Sequence, residues 1–221
     1  MKEASACGVR YIIDHPQEFK QGEKYPLLIL LHGAGGRGDD IEVLKNNPFY
    51  RFARLRELPF VTVAPLCEEN TWFDMWERLT AFIKQMAGSE FIDKTRVYLM
   101  GASMGGYATW QMAMSIPECF AAIVPICGGG MYWNASRLKN VPVWAFHGAK
   151  DTTVLLEESE KMVNAVNRKG GDARLTVYPE NGHDAWSDTY SDTKVFRWLL
   201  EQKNKFLEWG GDEYNDPKKF G

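Results

Sequence analysis

The chain has 221 residues, 26 Lys and Arg against 29 Asp and Glu for a formal charge of −3, and 45% hydrophobic residues. That length suits one α/β domain spanning 1–221 and is too short for two ordinary domains with a linker. Near-average composition excludes disordered and fibrous classes, and the absence of a Lys/Arg cluster speaks against nucleic acid as a partner.

In chain order, the start MKEASACGVR has no hydrophobic signal core. The longest apolar run, YPLLILLHG, falls far short of the roughly 20 residues of a membrane helix, so a cytoplasmic protein with no membrane partner is expected. Short apolar runs then alternate with helical patterns. Strands are expected near 9–14 (VRYIID), 26–31 (PLLILL), 60–64 (FVTVA), 96–100 (RVYLM), 121–126 (AAIVPI), 141–147 (VPVWAFH) and 173–178 (ARLTVY), and helices near 73–87, 104–115, 156–169 and 190–206. This alternation predicts a mainly parallel, twisted sheet of about seven to eight strands with helices on both faces. The tail from about 208 to 221, EWGGDEYNDPKKFG, reads as a polar extension whose Trp209 and Phe220 can dock on the body. Cys7, Cys67, Cys119 and Cys127 are scattered without a C-x-x-C pair, which predicts reduced thiols and no metal site.

One stretch, MGASMGGYA at 100–108, sets Ser103 between Gly101 and Gly105. A tight turn would account for the glycines, but so would G-x-S-x-G, the elbow that exposes a nucleophilic serine between strand and helix. Context favours the elbow, because three other loaded stretches also fall at carboxyl ends of strands, where open α/β sheets place reactive groups. These are LHGAGGRGDD, HGAKD and PENGHDAW.

A serine nucleophile needs a base, and the base needs an acid. Of four histidines, His15 precedes any helix, while His32 and His147 each precede a glycine at a strand end. His183 alone follows the candidate acid, as the order Ser, Asp/Glu, His requires. No Asp or Glu occurs between Glu118 and Asp151, so Asp151 is the first carboxylate after the nucleophile's helix. Glu157, Glu158 and Glu160 fall on a helix face, and Asp184 and Asp188 stand too close to His183 in sequence. The expected triad is Ser103, Asp151 and His183. Oxyanion donors are expected from the amides of Met104 and, in HGAGG, Ala34. A phosphate-loop reading of GAGGRG fails for want of G-K-[ST]. Trp72, Trp133 and Trp186 follow strand ends and are candidate aromatic substrate contacts; Trp76 and Trp110 lie on helices and read as core. Glu68 and Glu69 stand near the expected rim.

With these residues in place, the chain resembles the α/β-hydrolase superfamily, and within it the small esterases of the phospholipase/carboxylesterase and predicted-peptidase-like groups. The resemblance rests on PLLILLHGAGGRGDD, VAPLCEENTW, RVYLMGASMGGYATW, VPVWAFHGAKDTTV and GHDAW, in that order between about Val9 and Leu200. It implies a Ser/His/Asp hydrolase with no cofactor, working through an acyl-enzyme on small soluble esters of short acyl, acetyl or hydroxycinnamoyl type. A serine peptidase, an acyltransferase and a non-catalytic protein of the same fold remain alternatives. Compared with larger superfamily members, little room precedes Val9, so a sheet trimmed at that edge is expected. Only GGGMYWNASRLKN joins residue 127 to the next strand, which implies no cap domain and an open site. Dienelactone hydrolases are set aside here because Ser103 stands where they carry cysteine.

Overall fold

The structure, a computed structural model, describes residues 1–208. Trp209 and Phe220, and with them the expected docking of the tail, lie outside the described residues.

Eight strands form one sheet: β1 (Lys2–Ala6), β2 (Val9–Asp14), β3 (Tyr25–Leu31), β4 (Val61–Pro65), β5 (Ile92–Ala102), β6 (Ala122–Ile126), β7 (Val143–Gly148) and β8 (Ala173–Tyr178), in the order β1-β2-β4-β3-β5-β6-β7-β8. The pairs β1·β2 and β2·β4 are antiparallel, and every other pair is parallel. The edge expected to be trimmed instead carries β1. Its sequence KEASA is too polar to read as a buried run, and it is held by a two-residue turn in which Cys7 and Gly8 both take positive φ, 52° and 70°.

Alternation along β3 divides its side chains between two cores. Leu27, Ile29 and Leu31 meet α3 (Trp76–Ala87), α4 (Met104–Ser115) and α5 (Leu156–Arg168) on one face; Leu28 and Leu30 meet the other helices. Those are α1 (Glu42–Lys45), α2 (Pro48–Leu55), α6 (Trp186–Ser191) and α7 (Thr193–Glu201); a short α8 (Lys205–Glu208) follows, its Phe206 packed against the first core. Neither α1 nor α2 was anticipated, although Asn47 caps α2 by accepting from Phe49 N–H, with Pro48 at its first position. The single helix expected over 190–206 is broken at Asp192, whose backbone is extended (φ −82°, ψ 108°) and whose carboxylate accepts from Lys194 N–H to cap α7. Between β6 and β7 the described chain has only a 3-10 turn, Tyr132–Leu138, and no cap domain. No helix among the described residues is long and apolar enough to cross a membrane.

Candidate active site

Ser103 joins β5 to α4 with φ 55° and ψ −118°, a conformation costing a non-glycine residue of order 1–3 kcal/mol. The neighbours make it possible. A Cβ on Gly105 would strike the Leu31 carbonyl oxygen and come within 2.9 Å of His32 O, and one on Gly101 would lie 2.6 Å from both Gly105 C and Thr109 Oγ1. The helix start is thus pressed onto two strand ends, and only glycine fits there. Ser103 N–H donates to Ile126 O at 2.9 Å, tying the elbow to β6.

The acid and histidine loops are joined through backbone. Ala149 N–H donates to Tyr178 O and Lys150 N–H to Asn181 O, each at 2.9 Å, while Gly148 abuts the carbonyl of Gly182 with no space for a side chain. These contacts bring His183 Nδ1 to 2.7 Å from Asp151 Oδ2 and His183 Nε2 to 2.8 Å from Ser103 Oγ. The other carboxylate oxygen, Oδ1, accepts from Thr153 N–H at 2.8 Å and Val154 N–H at 3.0 Å. Burial pushes the Asp151 pKa up, but the hydrogen bonds from His183, Val154 and Thr153 outweigh it and hold the carboxyl below its ordinary value. Asp151 is therefore an anion facing Nδ1–H, which leaves Nε2 to face the serine hydroxyl.

Ala34 opens the 3-10 turn Ala34–Gly36 and Met104 opens α4, so both amides stand where intrahelical partners run out. The loop bearing Ala34 is anchored by His32, whose Nδ1–H donates to Gly33 O (2.7 Å) and whose Nε2 accepts from Cys67 N–H (3.0 Å). Burial above all, and Arg37 in addition, push the His32 pKa down to about 4 against the opposing pull of the Gly33 carbonyl. Arg37 Nε donates to Ala34 O at 2.9 Å.

A cavity of about 520 Å³ opens beside Ser103 and His183, bounded by the 33–36 loop, Leu44, Pro48, Thr153, Trp186 and Tyr190. Of the three candidate tryptophans, Trp186 alone lines it, its ring edge-on to His183 at 5.4 Å. Trp72 is corrected to a structural place: it is fully buried, and its indole N–H donates to His32 O at 3.0 Å. Trp133 is also corrected, since it is 67% exposed, packs on Tyr132 and does not line the cavity. Trp110 is fully buried as expected. Glu68 pairs with Arg10 and Glu69 with Arg78, and neither lines the cavity. The wall contributed by the α1–α2 junction was missed in the sequence; the Asn47-Pro48 helix start was the available signal.

All four cysteines are free thiols. Cys127 Sγ lies with donor atoms of Asp151 and His183 inside a 4.8 Å radius of one another, the one such trio among the described residues. Burial pushes the Cys127 thiol up to about 12, and the other two donors are engaged with each other, so the trio is not arranged as a metal centre.

The sequence profile of the dienelactone hydrolase family matches residues 65–199. Curated relatives include the bifunctional acetylxylan esterase/xylanase XynS20E of Neocallimastix patriciarum, 29% identical over 143 residues (61% of this chain, 20% of that protein). Another is the protein named "Probable feruloyl esterase C" of Aspergillus terreus, 24% identical over 170 residues (74% of this chain, 63% of that protein). The chain thus spans less than two thirds of the length of either relative. A crystal structure of a thermostable esterase superposes with a TM-score of 0.75 at 33% identity, covering 88% of this chain and 59% of that one. The profile match overturns the setting aside of dienelactone hydrolases: serine for cysteine at 103 changes one atom, whereas the match extends over more than half of the chain. The chain belongs to the dienelactone hydrolase family of the α/β-hydrolase superfamily.

Proposed function

We propose that the protein is a serine hydrolase of carboxylic esters, acting on small esters of acetyl or hydroxycinnamoyl type. The observation that carries this reading is the unbroken chain of hydrogen bonds from Ser103 Oγ through His183 to the ionised Asp151, beside a largely apolar cavity of about 520 Å³. His183 Nε2 takes the serine proton as Oγ attacks the ester carbonyl, and Asp151 stabilises the resulting imidazolium. The amides of Ala34 and Met104 receive the developing oxyanion. His183 then returns the proton to the leaving alcohol, and water repeats the sequence on the acyl-enzyme. Acetylxylan and feruloyl esterases among the relatives favour this ester class, and Trp186 and Tyr190 offer an aryl acyl group apolar walls.

The test is hydrolysis of p-nitrophenyl acetate and methyl ferulate, with and without chelator. Turnover unaffected by chelator is expected, with Ser103→Ala lowering kcat by about 10⁶ and leaving folding intact. A Ser103→Ala protein that keeps more than a few per cent of the rate would sink the reading.

A further inference from the structure

His147 is a second histidine at the same carboxylate, buried where His183 is partly exposed, and neither the serine nor the oxyanion machinery uses it. It is the penultimate residue of β7, its side chain is 0% exposed, and its ring looks toward α5. Nε2 lies 2.9 Å from Val154 O and 3.4 Å from Asp151 Oδ2. Both are acceptors, so Nε2 carries a proton. Nδ1 lies 2.8 Å from Ser159 Oγ, and that hydroxyl is also 2.9 Å from the carbonyl of Gly128. The ring is thereby held between α5 and the acid loop, by the Nε2–H bond to Val154 O and by the Ser159 hydroxyl packed against Nδ1.

On the triad reading above, we infer that His147 is a positioning residue for the hydrolysis: its buried Nε2–H clamps the loop after Asp151 through Val154 O, with Asp151 Oδ2 3.4 Å away, and so holds that oxygen toward His183. The argument is geometric. Asp151 Oδ1 is fixed by the amides of Thr153 and Val154, so the carboxylate's orientation is that of the 151–154 turn. Val154 enters that turn twice, its amide holding Oδ1 and its carbonyl held by His147. Releasing the carbonyl lets the turn rotate and carries Oδ2 away from His183 Nδ1. Triad members misplaced by about 1 Å cost on the order of 10² in rate.

Two side chains separate the ring's nitrogens. Gln places an amide N–H where Nε2 stands, whereas Asn reaches only to Nδ1. His147→Asn is expected to lower kcat by about 10²-fold with KM unchanged, and His147→Gln to recover at least about tenfold of that loss. In an Asp151→Ala background, His147→Asn should have almost no further effect on kcat, because it acts through that carboxylate. Equal losses in the Asn and Gln proteins, a loss confined to KM, or a full additional loss in the Asp151→Ala background overturns the inference. Should His147→Asn fail to fold, the His147→Gln protein decides through the downfield proton resonance of His183 Nδ1–H: kept, it supports the clamp, and lost, it overturns it. Wild-type turnover by Asp151→Ala alone would instead sink the triad reading.

Discussion

Gly105 lies so close to the carbonyl of Leu31 that a Cβ there would overlap the oxygen and approach the Leu31 carbon to 2.6 Å. Both partners are backbone, Leu31 at the end of β3 and Gly105 in the first turn of α4, so neither side gives by a rotamer change. Gly105→Ala must therefore push α4 away from β3 and carry Ser103 with it. The expected cost is at least about 2 kcal/mol in urea unfolding, the middle of the range for overpacking, together with a fall in kcat. An alanine variant within 0.5 kcal/mol of wild type, roughly the scatter for inert substitutions, would refute the close approach.

Trp186 and Trp133 are expected to behave oppositely. Trp186 lines the cavity beside His183, and Trp133 faces solvent away from it. Trp186→Ala should raise KM for methyl ferulate by about tenfold relative to p-nitrophenyl acetate, the equivalent of roughly 1.4 kcal/mol of lost aromatic contact. Trp133→Ala should leave both KM values where they were. Michaelis curves on the two esters check this, and equal effects from both variants would refute it.

How much of this was legible follows from what each residue's role depends on. The Ser103 turn was readable because backbone crowding leaves glycines at fixed spacing, and the placing of Asp151 beside His183 because the stretch between Glu118 and it holds no other carboxylate. The parallel strands were readable because burial on both faces makes them continuous apolar runs. Trp72 was not, since an indole looks the same in sequence whether it meets a substrate or the carbonyl of His32. Nor was β1, whose pairing with β2 comes from a turn at Cys7 and Gly8 rather than from apolar pattern. His147 and His32 both precede a glycine at a strand end; chain order set them apart from His183, but only their buried partners show what each ring holds in place.

Trp72→Phe isolates one bond. The ring stays apolar, but the buried His32 carbonyl loses its 3.0 Å donor. An unsatisfied buried acceptor costs about 1–3 kcal/mol, and that loss should appear in chemical denaturation. Because His32 O lies at the root of the Ala34 loop, kcat should fall as well, with a smaller effect on KM. Unchanged stability in the phenylalanine protein would mean that the indole N–H contributes nothing to the loop.

His32 makes stability depend on pH in a way that can be separated from Asp151. The neutral ring uses both nitrogens, Nδ1–H donating to Gly33 O and Nε2 accepting from Cys67 N–H. A second proton would sit on Nε2 against that amide, and burial, its main cause, holds the pKa at about 4 instead of 6.5. Between these values the unfolded chain binds the proton and the folded chain does not. Stability from this group is therefore complete above about pH 6.5, falls as pH drops toward 4, and is constant below. At about 1.4 kcal/mol per pH unit the loss amounts to roughly 3 kcal/mol. His15 is lowered by burial as well and adds in the same direction. Asp151, held below the carboxylate range, acts with its own window: its contribution persists above about pH 4 and disappears only as pH falls through its folded value. Urea unfolding at pH 7, 6, 5 and 4, paired with an NMR titration of the histidine rings, measures the His32 window, and further points at pH 3 and 2 reach that of Asp151. A His32 ring that titrates near 6.5 in the folded protein, or an unfolding free energy flat from pH 7 to 4.5, would show that the loop tolerates the charged ring and that the Nε2 bond to Cys67 is not what anchors it.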